Sequence, residues 1–70
     1  MIHIYAIRKK GPLHVNAHVG TTINKAATEA IKLSKELDIE VVLHFNGREI
    51  NCDHRNDNTD DVTYRYLNRE

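Results

Sequence analysis

Five histidines (His3, His14, His18, His44 and His54) and one cysteine, Cys52, are the residues of this 70-residue chain best suited to hold a metal or attack a substrate. A zinc centre needs three or four such donors on one ion. His14 and His18 stand four apart, a spacing that stacks two rings on a helix face. On a strand it separates them by about 13 Å, too far to share one ion. Cys52 and His54 form a C-x-H pair, but no C-x-x-C or helical H-x₃-H accompanies it. The expectation is no metal site and no cofactor, with incidental nickel or zinc capture during purification as the extent of metal binding. Asn56, Asn58 and Asp60 are spaced like the first ligands of a calcium loop, yet the glycine at the sixth position and the terminal glutamate are missing. An ordinary polar turn is expected there.

Catalysis is not expected either. Ser34 is the only serine and falls on the apolar side of a helical pattern. A Cys52–His54 nucleophile–base pair is the one conceivable arrangement. A chain this short rarely encloses a substrate.

These residues must be positioned by short elements. Residues 2–8 read as a strand, with Ile2, Ile4 and Ala6 inward and His3, Tyr5 and Ile7 outward. Gly11 and Pro12 punctuate a turn. Residues 13–19 alternate strictly, Leu13, Val15, Ala17 and Val19 against His14, Asn16 and His18, which is the pattern of a half-buried strand. Thr21 or Thr22 can cap the helix that follows over 22–37. Its apolar arc runs through Ile23, Ala26, Ala27, Ala30, Ile31, Leu33, Ser34 and Leu37. Small alanines at its middle let a helix sit close to a sheet. Residues 39–45 alternate again, and Asn46-Gly47 is a strong signal for a type I′ hairpin into a strand over 48–52, with Ile50 and Cys52 inward. Residues 53–61 form a polar loop. Residues 62–67 read as a fifth strand by composition, with a short helix capped by Thr59 or Asp60 as the rival.

The expected fold is α+β in two layers, ββαββ followed by a strand or helix, in one domain spanning 1–70. One amphipathic helix covers one face of a small, mainly antiparallel sheet. Parity then gathers the strand histidines on the opposite face. His3, Tyr5, His14, Asn16, His18, Val42 and His44 form the expected partner-binding surface, with Tyr64 and Tyr66 as additions. An exposed face mixing aromatic rings and histidines suits protein–protein contact.

Ten basic and ten acidic residues balance to zero net charge. This lacks the positive field of a sequence-independent nucleic-acid binder. Arg8, Lys9 and Lys10 with Tyr64 and Tyr66 nevertheless define an alternative, a small RNA- or single-stranded-DNA-binding protein using phosphate contacts and stacking. One cysteine permits no internal disulfide, and the N-terminus lacks the order of charges and apolar residues of a signal peptide. A cytoplasmic location without membrane association is expected. The leading expectation is a small cytoplasmic binding or regulatory module, of the adaptor or inhibitor type met in phages and mobile elements. Its partner is another protein or a second copy, reached through the helix-free face or an edge strand.

Gly11-Pro12-Leu13-His14, followed by an amphipathic helix and the 39–52 hairpin, resembles the first half of the histidine phosphocarrier proteins over about 40 residues. The resemblance implies a phosphate-carrying role for His14. No Arg-Pro follows His14, and the helix starts about seven residues late, away from the position where its N-terminus would stabilise a phosphohistidine. Membership is not assigned, and a zinc-binding or phosphocarrier role is the remote alternative.

Overall fold

The computed structural model describes residues 3–8 and 12–68. The chain is α+β, with a four-stranded mixed sheet, one long helix and one short one. The strands are β1 (Ile4–Arg8), β2 (Leu13–Ala17), β3 (Val41–Phe45) and β4 (Arg48–Cys52), and they lie side by side in chain order. The helices are α1 (Ile23–Leu37) and α2 (Thr59–Leu67). The β1–β2 and β3–β4 pairs are antiparallel, whereas β2 and β3 are parallel. Two of the three pairings are thus antiparallel, as expected, and the parallel one makes the sheet mixed. The reason lies in the connection. A helix of 15 residues between β2 and β3 returns the chain to the end where β2 began, and adjacent strands joined in this way run parallel.

Alternation sets the inner face. Ile4, Leu13, Val15, Val41, Leu43, Phe45, Ile50 and Cys52 are buried against Ala26, Ala27 and Ala30 of α1 and Val62 of α2. The alanine stripe allows the close approach its side chains suggested. Thr22 caps α1 by accepting from the Lys25 amide at 3.3 Å. Asp38 ends the helix in the left-handed region, with φ of 55°. Its carboxylate faces His54 Nε2 at 3.1 Å, which explains a residue other than glycine there.

Four expectations need correction. Residues 62–67 are helical, not a fifth strand. Asn58, rather than Thr59 or Asp60, is the cap, and it forms a reciprocal capping box with Asp61. Asp60 and Asp61 in the first turn and Arg65 in the last oppose the helix dipole favourably. These end effects, and the packing of Val62 and Tyr66 one turn apart, outweigh the β-propensity of the tyrosines and Val62. Strand β2 also ends at Ala17, and Val19 stands fully exposed in the turn before α1. Ala6, read as inward, is exposed because α1 barely reaches over the edge strand that carries it. Ile2 lies outside the described residues.

Replacing Asn58 by alanine is expected to cost about 1 kcal/mol, the usual worth of a side-chain cap. Because α2 buries only Val62 fully, hydrogen exchange should speed up over residues 59–67 more than over α1. Uniform acceleration of both helices would show instead that α2 opens only with the whole fold.

Candidate contact surface

Both helices pack on the same side of the sheet, α2 against α1 and β4. The other side carries no helix. The strand register writes its surface in two rows: Tyr5, Asn16, His44 and Glu49 in one, and His14, Val42 and Asn51 in the other.

The rings in these rows touch. His14 Nδ1 lies 2.9 Å from His44 Nε2, with ring centroids 5.2 Å apart. One of these nitrogens donates and the other accepts, so at least one ring of the pair is neutral while the bond exists. The Asn16 side-chain amide donates to the Tyr5 hydroxyl at 2.9 Å. Tyr5 and His18 rings meet at 4.8 Å. Val42 is only 5% exposed although no helix covers it. Its cross-strand neighbours are His14 and Asn51, so it forms a floor beneath the polar layer rather than a contact residue. The exposed apolar area comes instead from Tyr5 and from Ile7 further along β1.

Of the expected surface, Tyr5, His14, Asn16, His18 and His44 are thus brought together. His3 is not. It precedes β1, and Glu29 of α1 takes both its backbone amide, at 2.9 Å, and its ring Nδ1, at 2.7 Å. This places His3 on the helix side, where it ties the start of β1 to α1. Tyr64 and Tyr66 are also absent from the open face, because they belong to α2. Tyr66 packs edge-on against Phe45 with centroids 5.1 Å apart, under the Arg48 guanidinium, and Tyr64 is exposed to solvent. The stacking platform proposed for nucleic acid is therefore not assembled from sheet tyrosines. Lys9 and Lys10 lie outside the described residues.

His54 turns to Asp38. Cys52 is fully buried, its thiol near the Ile50 carbonyl at 3.6 Å. Burial pushes this thiol up to about 12. No C-x-H site results from this pair. His14 lies at the start of β2, whereas α1 begins after the far end of that strand, so the phosphocarrier arrangement is not reproduced. In the acidic loop Asp53 accepts from the Arg55 backbone amide and guanidinium at 3.0 and 3.1 Å, which hold its carboxyl below the usual value. Among the described residues no three or more His, Cys, Asp or Glu side chains converge as metal ligands, and no helix is long and apolar enough to cross a membrane.

No protein family, curated protein or solved structure matches the chain.

The two sheet edges are each obstructed. Edge strand β1 changes register between Ala6 and Arg8, and such a bulge spoils pairing with an added strand. Edge strand β4 borders a groove with α2, lined by Arg48, Glu49, Ile50, Asn51, Arg65 and Tyr66. Arg65 donates to the Asn51 carbonyl at 2.7 Å and pairs with Asp57 at 3.3 Å, while Arg48 donates to the Tyr66 carbonyl at 3.3 Å. Glu49 and Asn51 of the open face were legible by parity, since Ile50 and Cys52 read as inward.

Proposed function

We propose that this chain is a small binding or regulatory module, of the adaptor or inhibitor type, that works by contact of its open sheet face with another protein. The observation that carries this reading is the assembled layer of Tyr5, His14, Asn16, His18 and His44, a connected set of aromatic and hydrogen-bonding groups on a face without a helix. Strands contribute such a layer with little loss of side-chain freedom, because the groups already hold one another in place. The bulge in β1 and the Arg65 cap on β4 argue against the edge-strand route.

The test is affinity capture from the source host with the immobilised chain and three variants. His14→Glu and His44→Glu place a carboxylate on the open face, and Lys32→Glu alters the exposed side of α1. Partner recovery is expected to fall at least tenfold in the two histidine variants and to stay at the wild-type level in Lys32→Glu. A partner retained by both histidine variants would overturn the reading.

A further inference from the structure

We propose that His14 and His44 form a binding site for a divalent transition metal, copper(II) or nickel(II) ahead of zinc, on the open face of the sheet. Two imidazole nitrogens of this pair, from strands 30 residues apart in sequence, stand 2.9 Å from each other. Metal–imidazole bonds are about 2.0–2.1 Å long, so two nitrogens at that separation subtend about 90° at a shared ion. That is the angle between neighbouring ligands in square-planar or octahedral coordination, the preference of copper(II) and nickel(II). Tetrahedral zinc would require the nitrogens to part by a further ~0.4 Å. Turning each ring about its χ2 torsion, which is broad for histidine, moves the two lone pairs from each other to a common point on the solvent side. The ring that donates in the nitrogen–nitrogen bond carries its proton on its other nitrogen once the metal is bound, so a neutral pair enters the complex without net loss of a proton.

The site has a floor. Val42 lies beneath the pair, nearly inaccessible, so the metal is reached only from the open side. Glu49 stands directly across the ladder from His44 and is exposed. It lies on the side of His44 away from His14, so the two imidazoles are the protein ligands and water completes the shell. The remaining histidines have other engagements: His18 stacks on Tyr5, His3 is held by Glu29, and His54 faces Asp38. The spacing of His14 and His18 thus plays no part. The chelating pair is formed across strands, by a diagonal that residue spacing does not reveal.

The metal site stands apart from the contact surface as a claim, since it is scored on the isolated chain. Calorimetric titration of the purified protein at pH 7.5 with copper(II), nickel(II) and zinc(II) chlorides is the test. One copper equivalent per chain is expected, with micromolar affinity and binding in the order copper, nickel, zinc. His14→Gln and His44→Gln should each weaken copper binding at least tenfold. His18→Gln and His54→Gln should bind as wild type. Electron paramagnetic resonance of the wild-type copper complex should show two coupled nitrogens, a readout that needs no variant to fold. Undiminished binding in both the His14→Gln and His44→Gln chains, or a spectrum with one nitrogen, overturns the site.

Discussion

Replacing Ser34 by alanine is expected to destabilise the fold by about 2–3 kcal/mol, although only one oxygen is lost. Ser34 is the buried polar residue of the core and has no solvent access. Its hydroxyl donates to the Ile39 carbonyl at 2.5 Å and accepts from the His54 amide at 3.1 Å. Its own carbonyl accepts from the amides of Asp38 and Ile39. One residue therefore joins the end of α1, the turn into β3 and the loop leaving β4. Alanine removes the partner shared by two backbone groups, and a buried group deprived of its bond costs about 1–3 kcal/mol. Removing the buried hydroxyl itself offsets part of that penalty. Urea unfolding should show a lower midpoint at constant slope. A loss below about 0.5 kcal/mol would mean that both backbone groups find water or another partner.

That residue also shows where the sequence could be read and where it could not. Its burial was legible, because Ser34 falls on the apolar arc of α1. Its role was not, because Ile39 and His54 reach it through a turn and a loop whose paths no periodicity describes. The strands were legible for the same reason as the helix. Strict alternation in 13–17, and the looser alternation of 41–45 with Val42 on its outer side, sorts residues by face, and one buried face makes that sorting costly to violate. A strand over 62–67 follows only if tyrosine and valine content is weighed above the end signals. Asn58 and Asp61, three apart, were the capping-box evidence for a helix start. Parallel pairing of β2 with β3 was implicit in the helix between them, as a hairpin cannot join parallel strands.

The open face divides in the same way. Parity placed His14, His18, His44, Tyr5 and Asn16 together, and it is local. It failed for His3, which sits before β1, where alternation no longer governs direction and Glu29 supplies the stronger attraction. Direct contact between His14 and His44 depends on the stagger of β2 against β3, a property of the parallel ladder that neither strand encodes alone. The chelating geometry therefore exists only at the level of register, one step above what residue spacing can express.

Raising the pH is expected to expose the cost of a buried thiol. Cys52 is shielded from solvent by the sheet and both helices, and burial is the main reason its pKa stands near 12 rather than 9.0. Asp57 and Glu40 push in the same direction, and Arg65 pulls against them. The folded state thus holds the proton more tightly than the unfolded chain. Such a group contributes its full stability below the unfolded value and loses it as the pH climbs toward the folded one. The loss runs from about pH 9 to pH 12 and totals on the order of 4 kcal/mol, because each pH unit between the two values is worth about 1.36 kcal/mol. Lysines and tyrosines titrate in the same range, so the comparison must be made against Cys52→Ala, which shares them. Alanine lowers stability at pH 7 by about 1 kcal/mol through lost packing, yet its stability should fall less steeply above about pH 9. By about pH 10.5 the variant should equal or exceed the wild-type chain in urea unfolding. Parallel pH curves for the two proteins would show that the thiolate finds solvent without unfolding, and that the sheet opens locally around β4.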